Sequence, residues 1–324
     1  GSEMCIRDRG RAQTKSAVSY KNPVVDIAMP DPTVIKAADG YFYVYATEST
    51  RNVPIMKSKD LVEWTYCNTA FTNKTRPRFE PKAGIWAPDI NYINGKYVLY
   101  YAMSVWGGEQ TCGIGVATAN SPQGPFTDHG KMFRSNEIGV QNSIDPSLLQ
   151  YEGRNYLVWG SFRGIYVIEL TADGLSIMSG AKKKRIAGTA FEAVYIHKHG
   201  DYYYMFASIG SCCQGVKSTY KVVVGRSKKV WGPYKDKTGK PMLKNGYSLV
   251  IGANDHFVGN GHGSQIIQDD AGQDWLLYHG FSRSTPENGR ILLLDQIKWD
   301  QEGWPYVEGG SPSYETQKAP VFNN

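Results

Sequence analysis

Five times along the chain a glycine-bearing turn leads into an aromatic-rich strand, and one acidic residue or histidine stands shortly before each turn. The turn-and-strand units read DGYFYVYAT (39–47), NGKYVLYYAMS (94–104), EGRNYLVWGSF (152–162), HGDYYYMFASI (199–209) and, more loosely, AGQDWLLYHGF (271–281). The preceding residues Asp31, Asp89, Asp145, Glu192 and His262 lie 9, 6, 8, 8 and 10 positions before Gly40, Gly95, Gly153, Gly200 and Gly272. Those glycines are 55, 58, 47 and 72 residues apart, which leaves room for a four-stranded antiparallel blade with its loops. One such sheet cannot bury both faces alone, whereas blades stacked radially can. The repeat therefore predicts an all-β chain folded as a five-bladed β-propeller, with the polar residues at the mouth of its inner strands.

Tyr, Val, Ile, Phe and Trp cluster in short runs bounded by Gly, Asn and Asp, which is strand-and-turn chemistry. No capped amphipathic stretch reaches helical length. A β-sandwich or a two-domain protein with accidental periodicity is the competing architecture. A WD40-type interaction propeller fits less well, because Gly-His and Trp-Asp pairs do not recur in each unit. Residues 1–19 are expected to form a disordered leader, of which 1–11 (GSEMCIRDRGR) lack any periodicity, and 20–324 a single propeller domain.

With 324 residues, 41% of them hydrophobic, the chain can bury a large core. The net charge of +6 is modest and partly local, as in Lys182, Lys183, Lys184 and Arg185, so nucleic acid is not an expected partner. No run approaches the ~18 apolar residues of a membrane span, and no membrane partner is expected. Cys67, Cys112, Cys212 and Cys213 have no CxxC spacing, which gives no ground for a cysteine zinc site. The adjacent Cys212 and Cys213 are expected as small unbridged side chains.

Three of the recurring carboxylates sit among apolar neighbours: Asp31 in Met-Pro-Asp-Pro, Asp145 in Ser-Ile-Asp-Pro and Glu192 in Ala-Phe-Glu-Ala. Proline fixes the backbone beside two of them. Carboxylates gathered at one site cannot all ionise freely, so their proton affinities spread, giving an acid and a base at one pH. Paired carboxylates in an aromatic groove are the equipment of glycoside hydrolysis. Trp86 and Trp106 are positioned to stack on sugar faces. His262, in Gly-Asn-Gly-His-Gly-Ser, has three available roles: substrate contact, tuning of an acid, or one ligand to a metal. Oxygen-rich surroundings there suit calcium better than zinc.

The ordered set PDPTVI (30–35), WAPDI (86–90), NSIDPSL (142–148), FEAVYI (191–196), CCQGVKSTYKVVVGRS (212–227), GNGHGS (259–264) and YHGF (278–281) resembles glycoside hydrolase family 43, and within it the α-L-arabinanases. The resemblance runs from about Pro23 to Val307. It implies a five-bladed propeller that cleaves linear arabinan and arabino-oligosaccharides internally, at α-1,5-linked L-arabinofuranosyl bonds, with inversion. Asp31 would then be the general base, Glu192 the general acid, and Asp145 the residue that orients the acid and raises its pKa. Trp86 and Trp106 match substrate-stacking positions, with Asn142 and Ser161 as polar contacts. His262 matches a histidine that binds one largely water-coordinated calcium ion near the axis. Asp89 takes no catalytic role. The resemblance also implies a secreted or periplasmic monomer. The rivals are an exo-acting arabinofuranosidase or β-xylosidase on the same scaffold, and a non-catalytic carbohydrate-binding propeller.

Overall fold

The structure is a computed structural model that describes residues 16–323. Four four-stranded antiparallel sheets follow one another along the chain, each a blade that starts at the axis and works outward. Blade 1 comprises Thr33–Lys36, Phe42–Tyr45, Pro54–Ser58 and Thr65–Thr69. Blade 2 comprises Gly84–Ile93, Lys96–Ser104, Gly113–Ala119 and Thr127–Arg134. The inner strands of blades 3 and 4 are Ser147–Tyr151 and Glu192–His199.

Blade 5 is composite. Phe257–Gly261, Asp274–Ser282 and Ile291–Trp299 are joined by Val25–Ala28 from the start of the chain, which closes the ring. The closure also places Asp31, three residues beyond that strand, at the axis. Among the described residues the longest helix has four residues, Ser135–Ile138, as expected of an all-β chain.

The burial pattern explains why the second strands read as unbroken apolar runs rather than alternating ones. Phe42–Tyr45 is buried throughout, because successive side chains point to opposite faces and both faces are covered. Tyr43 and Tyr45 pack with Leu99 and Tyr101 between blades 1 and 2. Phe42 and Val44 pack with Leu277 and Leu292 between blades 5 and 1. The same division gives Val98 and Tyr100 to the core between blades 2 and 3, Met205 to that between 3 and 4, and Tyr204 and Phe206 to that between 4 and 5. Five interfaces thus carry five cores.

The recurrent turns close the hairpin between the first two strands of each blade. Asn94-Gly95 and Glu152-Gly153 take positive φ at both residues, 49° and 80°, then 49° and 74°. Such a two-residue turn matches the twist of its flanking strands and strongly favours Gly second.

Residues 1–15, most of the expected leader, lie outside the described residues. Packing begins a little before the expected boundary at Tyr20. The Ala17 N–H donates to Asp60 Oδ2 at 2.9 Å, and Ser19–Tyr20 pairs with Gln317–Lys318.

Candidate functional site

One backbone feature recurs in every blade at the end opposite the glycine turns. A residue with left-handed φ interrupts or introduces the inner strand: Asp31 (54°), Ala87 (42°), Asp145 (57°), Ala193 (56°) and His262 (53°). In blades 2 and 4 the ladder shifts register there, between Trp86 and Asp89 and between Glu192 and Tyr195. A bulge of this kind re-aims side chains, and non-glycine residues in this region concentrate at functional sites. The true five-fold set is therefore Asp31, Ala87, Asp145, Ala193 and His262. Asp89 lies two residues past its blade's bulge, and Glu192 one residue before its own.

Asp31, Asp145 and Glu192 are nevertheless brought together, all buried, on a groove of about 820 Å³ that they share with Trp86, Trp106, Asn142, Ser161 and His262. Asp31 is held from several blades. Its N–H donates to His279 Nδ1 at 3.0 Å, Thr47 Oγ1 donates to its Oδ2 at 2.5 Å, and Arg290 Nη1 to its Oδ1 at 3.2 Å. His262 Nδ1 stands 3.1 Å from the same Oδ1. Thr47 Oγ1 in turn accepts from the Ala87 N–H at 2.7 Å, tying blade 2 to the carboxylate. Burial pushes the Asp31 carboxyl up, but Arg290 and His262 outweigh it and hold it well below the usual range. It stays ionised.

Glu192 is set the other way. Ser161 Oγ donates to its Oε2 at 2.5 Å and Tyr220 OH to its Oε1 at 2.6 Å. Asn142 Nδ2 donates to Ser161 Oγ at 3.1 Å, aligning that hydroxyl. Burial still raises the Glu192 carboxyl, although both hydroxyls oppose the rise. Asp145 Oδ2 accepts from the Ala193 N–H at 2.9 Å, bracing the segment that carries Glu192. Burial, then repulsion from Glu192, pushes Asp145 up to about 8. The two acids titrate as a pair that retains a proton more strongly than isolated carboxyls.

His262 is pulled down by burial, yet Asp31 and the other carboxylates raise it to about 9. Beside it lies a cavity of about 20 Å³ lined from all five blades. Its lining includes Thr33, Asp89, Asp145, Ser147 and Ser264. This oxygen-rich donor set fits a hard cation, and one water-sized species needs only about 10–15 Å³. Burial takes Asp89 up to about 7 against bonds from Asn91 and the Leu148 N–H. Gln265 Nε2 also donates to it, at 3.0 Å.

Trp86 and Trp106 stand side by side on the groove, ring centroids 5.6 Å apart at 53°. Trp106 is 78% exposed, an unburied face for a ligand to cover. Across the axis, Cys212 and Cys213 line the groove and are joined by a disulfide. This corrects the expectation of unbridged thiols. The two cysteines are adjacent, with Cα atoms 3.8 Å apart, which places the sulfurs within reach of one another, and hydrogen bonds between Ser211 and Thr219 close the loop that carries them.

Thr47, Tyr220, His279 and Arg290 escaped the sequence reading. Tyr220 and His279 fall inside the quoted runs STYK and YHGF but carry no spacing signal of their own.

Carboxylates of split proton affinity in an aromatic-flanked groove define a sugar-cleaving class of propeller. The family model for glycosyl hydrolases family 43 matches residues 20–305, and the chain belongs to this family. It is 36% identical over 306 residues to an extracellular exo-α-(1→5)-L-arabinofuranosidase of Cellvibrio japonicus, covering 86% of each chain. It is also 36% identical over 289 residues to an extracellular endo-α-(1→5)-L-arabinanase of Bacillus subtilis, covering 85% of this chain and 86% of the relative. Among solved structures, an α-L-arabinanase of Cellvibrio cellulosa complexed with arabinohexaose superposes with a TM-score of 0.79 at 33% identity. That match covers 87% of this chain and 95% of the other. The protein is a glycosidase.

Proposed function

We propose that this glycosidase cuts linear α-1,5-linked L-arabinan internally, with inversion at the anomeric carbon. The observation that carries the internal cut is the course of the groove. Trp86 and Trp106 flank it from blade 2 and Cys212–Cys213 from blade 4, two blades apart around the ring. Sugar can therefore bind on both sides of the carboxylates. A volume of about 820 Å³ lies in the range that encloses a multi-ring ligand, roughly 300–1,000 Å³.

Asp31, ionised, takes the proton of the attacking water. Glu192, protonated, donates to the departing glycosidic oxygen, and Asp145 positions it. Trp86 and Trp106 stack on sugar rings, and Asn142 and Ser161 supply polar contacts. Relatives named as extracellular support a secreted enzyme, which we expect to act as a monomer. Chromatography of products from linear arabinan tests the mode of cleavage. A ladder of oligosaccharides is expected; monomer or one fixed oligomer would establish the exo-acting alternative, which the Cellvibrio relative favours.

The pH profile tests the acid. Ser161 Oγ donates to Glu192 and so stabilises its ionised form. Ser161→Ala raises the Glu192 pKa, and the protonated acid persists to higher pH. The alkaline limb of kcat/KM should move upward; a limb that stays in place would rule out this hydrogen bond as a control on the acid.

The oxygen donors around the axial cavity would hold one calcium ion together with His262, which must give up its imidazolium proton to serve as a ligand. Bound there, the ion would supply fixed positive charge next to Asp89 and Asp145, which line the cavity. Chelation should abolish activity and calcium should restore it, while His262→Ala stays inactive with little change in Tm. Full activity after exhaustive chelation would remove calcium from the reaction.

A further inference from the structure

The face of the propeller that carries the glycine turns holds a second cluster of reactive side chains, which hydrolysis does not use. His197 and His199 are alternate residues at the far end of the Glu192–His199 strand, so both project to one side of the sheet. Asp274 opens the Asp274–Ser282 strand of blade 5. One ring nitrogen from each histidine and one Asp274 oxygen all lie within 4.8 Å of one another. His199 stands seven residues along its strand from Glu192, roughly 23 Å at strand rise. The cluster is separate from the groove.

The three side chains do not satisfy one another. His199 Nδ1 and Asp274 Oδ2 are 3.9 Å apart, too far for a hydrogen bond. They are held in place by a common neighbour instead. Trp299 Nε1 donates to Asp274 Oδ2 at 2.8 Å, and the Trp299 ring stacks on His199 with centroids 3.7 Å apart at 5°. Gln268 Nε2 reaches the other carboxylate oxygen at 3.4 Å. Fixing a carboxylate and an imidazole from behind is what the outer partners of metal ligands do.

We propose that His197, His199 and Asp274 bind one divalent transition-metal ion of the zinc class, joining blade 4 to blade 5. Two imidazole nitrogens and one carboxylate oxygen suit zinc, nickel or copper, not calcium. Zinc sits about 2.0–2.2 Å from such donors, so small side-chain rotations close the site. The His199 side chain is 37% exposed, which lets an ion enter and water complete its shell.

The test is titration of the untagged, chelator-stripped full chain with zinc chloride, in the presence of calcium to occupy any hard-cation site. One zinc ion per chain is expected. Trp299→Phe keeps an aromatic ring but loses the indole donor, and should weaken binding about 10–100-fold. His199→Gln should weaken it at least as much. Both variants should hydrolyse arabinan as the parent does, and the zinc-induced rise in Tm should vanish in His199→Gln. Because His199 is partly exposed, the zinc-free Tm of that variant shows whether it folds. Equal zinc affinity in parent and His199→Gln, or no saturable zinc binding by the parent, would overturn the proposal.

Discussion

Glu192→Gln is expected to lower kcat/KM on linear arabinan by about 10²–10⁴-fold, the usual contribution of a positioned acid. The amide keeps the shape that Ser161 and Tyr220 hold by hydrogen bonds, but it cannot deliver a proton. A sugar alkoxide is a poor leaving group and needs that proton. An aryl leaving group departs as a stable anion and does not. On an aryl arabino-oligosaccharide the same variant should therefore lose far less rate. An equal loss on both substrates would show that Glu192 is not the acid, whatever its effect on arabinan.

The ring was legible because its cause is local. Each glycine turn is a tight hairpin, and each following run is apolar on both faces because it packs between two neighbours. Position within the ring was less legible. Aligning the chain on its acidic residues put Asp89 and Glu192 in the five-fold set, whereas the backbone puts Ala87 and Ala193 there. The prolines held the better signal: Pro32, Pro88 and Pro146 each follow the left-handed residue. Aligning on them yields Ala87 directly. Blade 4, with Val194 in that place, gives no such cue. Glu192 reaches the site although it precedes its bulge, because Ser161 and Tyr220 anchor the carboxylate.

What surrounds the carboxylates was the least legible part. Thr47, Tyr220, His279 and Arg290 come from the axial ends of second and third strands or from the loops joining them. Two of them have partners distant in sequence, Arg290 lying 259 residues from Asp31 and His279 248. No pattern in one sequence marks these partners: the closing of the ring by Val25–Ala28 brings His279 and Arg290 to Asp31, while Thr47 and Tyr220 meet their carboxylates only once their own blades are folded. The Cys212–Cys213 bond was hidden for a related reason. The dipeptide is visible, but adjacency alone does not distinguish a bonded pair from two thiols.

Asp31→Asn provides the complementary result. Every turnover needs an activated water, whichever group leaves, so the loss should be about 10²–10⁴-fold on both arabinan and the aryl substrate. This contrast with Glu192→Gln separates base from acid without a structure of either variant. The substitution also leaves Arg290 and His262 facing a neutral amide where the parent has a carboxylate. A thermal melt must accompany the kinetics, and a folded variant is expected because His279 still accepts the backbone N–H of residue 31. Product of inverted anomeric configuration from the parent, followed by NMR, places the water opposite the departing oxygen. Substantial activity in folded Asp31→Asn would refute Asp31 as the base. A loss that shrank on the aryl substrate would instead give it the acid's role, and the split in proton affinity between Asp31 and Glu192 would then run against the chemistry.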